Sequence, residues 1–169
     1  MKRILLLSLL FFLTINTSIG QKGKFKSLFI YNFTKYIKWP DSYNTGKFVI
    51  GVFGDSDIIE SLNAMANAKK MTGNGAIFVV KLYKTIDEID DCNILYISEN
   101  SVTQLMQIER HLASKPVLIV TAAPGMASQG SIINFVEEEG KIKFELNLTK
   151  ATSHGLIVSK SLASLAIVI

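Results

Sequence analysis

Four short apolar runs, spaced by segments of a different rhythm, constrain this chain more than any other feature. They are "FVIGVF" (residues 48–53), "AIFVVKLY" (76–83), "NILYIS" (93–98) and "PVLIVTA" (116–122). Each is too short for an ordinary helix, is dense in β-branched and aromatic residues, and is bounded by polar or glycine-containing turns. That is the pattern of buried strands. The first run leads into a helical stripe of Ile58, Ile59, Leu62, Met65 and Ala66, with Asp57 and Glu60 spaced as a capping box. A glycine- and asparagine-rich loop, "KKMTGNGA", separates this stripe from the second strand. After the third run, Asn100 or Ser101 opens a helix with the stripe Val102, Leu105, Met106 and Leu112. Alternating strands and helices imply a mostly parallel sheet covered on both faces.

The pattern changes after the fourth run. "SIINFVEEEGKIKFELNL" reads as two strands around a Glu-Gly-Lys turn. Ile142, Phe144, Leu146 and Leu148 alternate with Lys141, Lys143, Glu145 and Asn147, so one face is buried and the other polar. The tail reads as two helical pieces divided near Gly155. The expectation is an α/β fold: a three-layer sandwich with a mostly parallel sheet plus a C-terminal antiparallel hairpin.

Ahead of the first strand, "KFKSLFIYNFTKYIK" is an amphipathic helix. On a helical wheel Phe25, Phe29, Phe33, Tyr36 and Ile37 share one side. Lys24, Tyr31, Lys35 and Lys38 gather on the other. Pro40 disfavours helical geometry at Trp39 and is expected to end this helix there, leaving Trp39 as a plug over the core.

The first twenty residues are different in kind. Lys2 and Arg3 precede an apolar run over residues 4–13, which is too short for an ordinary membrane span. Ser18 and Gly20 then stand at the minus-three and minus-one positions of a cut before Gln21. This is the pattern of a secretory signal peptide, with an uncleaved anchor as the alternative. The expected organisation is a signal peptide over 1–20 and one domain over 21–169. Without the leader the chain holds 16 Lys and Arg against 14 Asp and Glu, a net charge of +2. With no dense basic run, nucleic acid is not an expected partner.

Reactive chemistry is sparse. "GVFGD" has Gly51 and Gly54 but lacks the full dinucleotide-binding fingerprint, so it reads as a strand-to-helix turn. His111 and His154 have no ligand-spaced neighbours and read as surface residues. Glu137, Glu138 and Glu139 read as a solvated hairpin tip. Cys92 is the only cysteine, so no disulfide can form within the chain. A buried free thiol is expected, with an intermolecular disulfide or redox switch as alternatives. No catalytic residue, metal site or cofactor is assigned.

Five segments in order carry a family resemblance: "FIYNFTKYIKWP", "VFGDSD", "CNILYIS", "VLIVTAAPGMASQGSIINFV" and "KIKFELNLTKATSHGLIVSKSLASLA". The last includes Phe144, Asn147, Ala151, Gly155, Leu156, Ser159 and Leu162. Together they resemble the YfiR family of periplasmic regulators. The resemblance implies a non-catalytic binding protein. Its best-known members dimerise and repress a membrane-bound diguanylate cyclase by engaging that enzyme's periplasmic domain. Release would raise cyclic-di-GMP and promote biofilm. Members with disulfides use several cysteines, so the lone Cys92 is a departure. The expected partner is therefore the periplasmic domain of a membrane-bound sensor or diguanylate cyclase, with a homodimer also expected. The candidate contact residues are Tyr31, Lys35, Lys38, Trp39 and, on the hairpin, Glu145. The alternative is a periplasmic small-ligand receptor feeding a histidine kinase or other sensor, with its site at the strand ends near Gly54, Asp55 and residues 123–128.

Overall fold

The computed structural model describes residues 18–43, 46–113 and 115–169. The expected leader over 1–20 lies largely outside the described residues. The first helix, α1 (Ser18–Tyr36), is already under way where the cut before Gln21 is expected.

Two-faced burial builds the sheet. In β2 (Lys47–Phe53), Phe48, Ile50 and Val52 enter one core, while Val49 and Phe53 enter a second core on the opposite face. The strands β4 (Ile94–Ile97) and β5 (Leu118–Thr121) are buried along their whole length and split in the same way. Ile94, Tyr96, Leu118 and Val120 face one core, and Leu95, Ile97 and Ile119 the other. This is why their sequences read as continuous apolar runs rather than alternating ones. Among the described residues the main sheet has seven strands in the order β3-β2-β4-β5-β6-β7-β9. Here β3 is Ile77–Tyr83, β6 Ile133–Glu138, β7 Lys141–Leu146 and β9 Ile167–Val168. All neighbours are parallel except the β6–β7 hairpin. The α/β reading with its C-terminal hairpin stands.

Helices α1 and α2 (Ile58–Lys69) cover the first core, to which they contribute Ile30, Phe33, Ile58, Leu62, Met65 and Ala66. Helix α3 (Leu105–Leu112) covers the second with Leu105, Ile108 and Leu112. The remaining short helices are α4 (Met126–Gln129), α5 (Leu148–Ser153) and α6 (Lys160–Ala163). Among the described residues no helix is long and apolar enough to cross a membrane.

Several local expectations are corrected. α1 ends at Tyr36, before Trp39, because Ile37–Lys38 leave the helix as β1 and pair antiparallel with β8 (Ile157–Val158). The buried stripe of α1 runs through Gly23, Ser27, Ile30 and Phe33 and continues into Ile37 of β1, so Phe25 and Tyr36 are exposed. Asp57 makes no side-chain cap; the Ser56 hydroxyl accepts from the Ile58 amide instead, at 3.4 Å. The helix expected from Asn100 or Ser101 begins with a 3-10 stretch, Glu99–Gln104, and turns α-helical at Leu105. That change of pitch puts Ile108 in the core and leaves Met106 exposed. Leu148 opens α5 and is exposed rather than continuing the strand. The tail contains its two helical pieces, but each is followed by a two-residue strand, β8 or β9.

Two glycines are required by close approach or turn geometry. A Cβ on Gly51 would lie 2.5 Å from the Tyr83 ring of β3. Gly54, at φ +79°, makes the turn out of β2, and its amide donates to the Tyr83 carbonyl at 3.0 Å.

Candidate functional site

Lys35 and Lys38 stand exposed at the end of α1 and in β1. Tyr31, one turn before Lys35, is only half exposed. Its ring meets Phe78 of β3 edge-on, with centroids 6.0 Å apart. The Lys35 ammonium lies 4.3 Å from the centre of that ring, and the Lys69 ammonium, from the last turn of α2, 5.0 Å from it. One tyrosine thus gathers two cations from two helices through its electron-rich face. Among the described residues no carboxylate lies within ion-pair distance of Lys24, Lys35, Lys38 or Lys69. The result is a positive surface anchored on the core by Tyr31.

Trp39 is 4% exposed. Its indole N–H donates to the Asn93 carbonyl at 3.1 Å, and its ring meets Phe48 edge-on. The plug reading therefore holds. As a contact residue Trp39 is covered, and it shapes the neighbouring groove from beneath. That groove, about 420 Å³, lies between Lys35, Lys38, Asp41 and the Thr72–Asn74 loop. Asn93 is a residue the sequence reading missed. Its side chain accepts from the Val49 amide at 2.8 Å and donates to the Tyr43 carbonyl at 2.6 Å, pinning the loop after Pro40 to β2.

Glu145 lies far from this surface in the fold, on β7. Its carboxylate accepts from Asn134 Nδ2 at 2.8 Å. Asn134 is fully buried; its Oδ1 accepts from the Thr121 hydroxyl at 2.8 Å and from the Ala123 amide at 3.2 Å. Glu145 therefore holds a polar network that shapes the loop after β5, the same 123–128 segment singled out from sequence. Asn147 completes it by capping α5 through the Lys150 amide and donating to the Ala127 carbonyl.

The other sequence-derived region, around Gly54 and Asp55, borders a crevice of about 370 Å³. It lies beyond the carboxyl ends of β2 and β4, between Asp55–Asp57 and Glu99–Asn100, with Lys22 and Lys26 of α1 along its rim. β2 has β3 on one side and β4 on the other, so this is the point at which the strand order reverses. Open α/β sheets bind ligands at such points. Buried Tyr96 contributes to the crevice wall. Burial, reinforced by Glu99 and Asp57, raises its phenol above the ordinary range and keeps it neutral.

The residues set aside as unreactive behave differently from one another. Cys92 is buried and free. Burial, and then the charge of Asp90, push its thiol up to about 12. His154 is buried, contrary to the surface reading, with Nδ1 3.0 Å from the Lys115 carbonyl. His111 Nε2 lies 3.2 Å from the Ile89 carbonyl. Glu137 and Glu138 of the hairpin tip pair with Lys22 and Lys143, each at 2.6 Å. Among the described residues no group of three or more His, Cys, Asp and Glu is placed to hold a metal ion.

Comparison with known proteins gives one result of weight. No curated protein matches the chain significantly. The family-wide pattern described as YfiR/HmsC-like matches residues 23–167, which span the described fold from the first turns of α1 to β9. The same span holds both cores and every candidate residue, and the chain belongs to the YfiR/HmsC-like family.

Proposed function

We propose that this protein is a periplasmic regulator, delivered by a cleaved signal peptide over 1–20. It binds the periplasmic domain of a membrane-bound sensor and restrains it, the foremost target being a diguanylate cyclase. Family membership over residues 23–167 carries this reading. On this view the protein works by contact and not by chemistry of its own, and it acts as a homodimer. The positive surface around Tyr31 supports it, because unpaired lysines set on a rigid aromatic base suit an acidic partner. Replacing Lys35→Glu together with Lys38→Glu tests this. Both side chains are exposed, so thermal stability should stay within about 1 kcal/mol of wild type. Affinity for the sensor's periplasmic domain should fall, and the remaining binding should be less salt-dependent. Unchanged affinity in the folded double variant would remove this surface and direct attention to the hairpin side of Glu145.

The crevice at Asp55–Asp57 and Glu99–Asn100 favours a second reading: a small-ligand receptor feeding a histidine kinase or another sensor. A ligand bound only by the folded state raises the melting temperature in proportion to the logarithm of its concentration. A screen of small metabolites by thermal shift, in the absence of any sensor domain, separates the two readings.

A further inference from the structure

The outward face of α1 carries three large exposed apolar side chains among its polar ones, where a surface helix is ordinarily polar. With the buried stripe of Gly23, Ser27, Ile30 and Phe33 turned to the core, Phe25, Leu28 and Tyr36 lie opposite it, with Asn32 between them. Their exposures are 50%, 49% and 42%. Phe25 and Tyr36 stand about 16 Å apart along the axis, at roughly 1.5 Å per residue. The strip therefore has an aromatic residue at each end, and at Phe25 it borders a groove against the hairpin that Glu137 and Ile142 also line. Ile157, 67% exposed, lies across from Lys38 in the β1–β8 pair and adds an apolar side chain beyond the helix end.

The charges that α1 itself carries beside the ridge are of one sign. Every charged residue of α1 within 21–36 is a lysine. Lys24 and Lys35 occupy one shoulder, with Lys38 just past the end, none of them paired to a carboxylate among the described residues. On the other shoulder Lys22 pairs with Glu137 at 2.6 Å and Lys26 with Glu99 at 3.4 Å. Those two pairs link the helix to the hairpin and to the loop after β4. Asp41 is the nearest carboxylate along the chain beyond the helix, and it borders the groove beside Lys38.

We infer that this ridge docks on the surface of an anionic lipid bilayer, with Phe25, Leu28 and Tyr36 entering the boundary between headgroups and acyl chains and Lys24, Lys35 and Lys38 reaching the phosphates. A helix with an apolar strip, flanking lysines and no acidic residue has the chemistry of an interfacial helix. Lysine stems lie along apolar surface while their ammonium groups stay at the polar level. A fluid lipid surface moulds itself to such a strip, whereas a second protein must build a complementary face. Two copies of this chain meeting along the ridge would bring lysines against lysines, which disfavours self-association there. The inference goes beyond the regulatory reading and does not rest on it.

The test is sedimentation with phosphatidylglycerol-containing vesicles and with neutral phosphatidylcholine vesicles. Residues 21–169 are used, because the apolar run over 4–13 would itself enter lipid; every residue of both cores lies within that span. Binding to the anionic vesicles should exceed binding to neutral ones by roughly tenfold or more, and fall with added salt. The triple variant Phe25→Ser, Leu28→Ser, Tyr36→Ser should lose this preference, as should Lys24→Glu with Lys35→Glu. Met106→Ser, an equally exposed apolar residue on α3, should behave as wild type. Circular dichroism melts identify any variant that has unfolded, and single Phe25→Ser then replaces the triple. Equal binding to both vesicle types, or an unaltered ridge variant, overturns the inference. If instead the ridge variant loses a sensor's periplasmic domain in lipid-free solution while wild type ignores vesicles, the ridge is a protein interface. In that outcome the lipid inference fails and the regulatory reading stands.

Discussion

Cys92 sits one residue before the buried Asn93 and two before β4, with its thiol closed off in the second core. Its folded-state pKa is raised, so the neutral thiol is the form that folding favours. That contribution is fully present below the unfolded thiol's ordinary range and is lost as pH climbs toward about 12. At neutral pH the native thiol should therefore resist alkylating reagents, reacting only as fast as the protein opens. Cys92→Ser should fold, at a cost of about 1–3 kcal/mol for a hydroxyl placed in an apolar site, as read by denaturant melts. Fast labelling of the native protein would contradict this account. Gly51 gives a second test. Gly51→Ala drives a methyl group into the Tyr83 ring and should destabilise by about 1–3 kcal/mol, unless β3 moves outward. The apolar run beside Cys92 made its burial legible. The burial of His154 was not, because it depends on the distant Lys115 carbonyl, which no local pattern shows.

At the scale of the element, α1 separates what apolar periodicity reveals from what it conceals. Phe33 and Ile37 were visible as core formers, whereas the helical wheel left out Ile30, which is fully buried. Gly23 and Ser27 were not visible either, since neither is apolar, yet both are buried because α2 approaches closely. A Cβ on Gly23 would lie 3.0 Å from Ser61 Oγ. This small-residue contact rotates the helix and turns Phe25 and Tyr36 outward. Two phenylalanines of one helix should therefore respond in opposite ways. Phe33→Ala leaves a cavity beneath Phe135 and Phe144 and should cost about 3–5 kcal/mol. Phe25→Ala should change stability by no more than about 0.5 kcal/mol. Equal losses in thermal or urea melts would restore the original wheel. Asn147 makes the corresponding case on α5. Asn147→Ala removes the cap of Lys150 and the bond to Ala127, with an expected loss of about 0.5–2 kcal/mol.

Over the whole molecule, the parallel sheet and its hairpin were legible because strands buried on both faces leave continuous apolar runs. The closing of the tail was not. β1, β8 and β9 are two residues each, too short to show any period, and their partners lie far away in sequence. Ile37 pairs with Val158, Ser159 donates its amide to the Tyr36 carbonyl at 2.8 Å, and β9 pairs with β7. Leu156 and Leu162 bury themselves in the first core. A chain ending at Ser153 loses all of these together and should show no cooperative thermal transition. A sharp melt from that fragment would make the tail an accessory.

The β1–β8 clasp also sets a clock. A polypeptide emerging from its N-terminus, at a ribosome or through a membrane pore, must wait with Ile37 unmatched until Val158 follows some hundred and twenty positions behind. Closing so long a loop is slow, because its entropy is lost before the contacts it makes possible are gained. Until Val158 is available β1 has no strand to pair with, so the clasp forms only after every strand from β2 to β7 is already present.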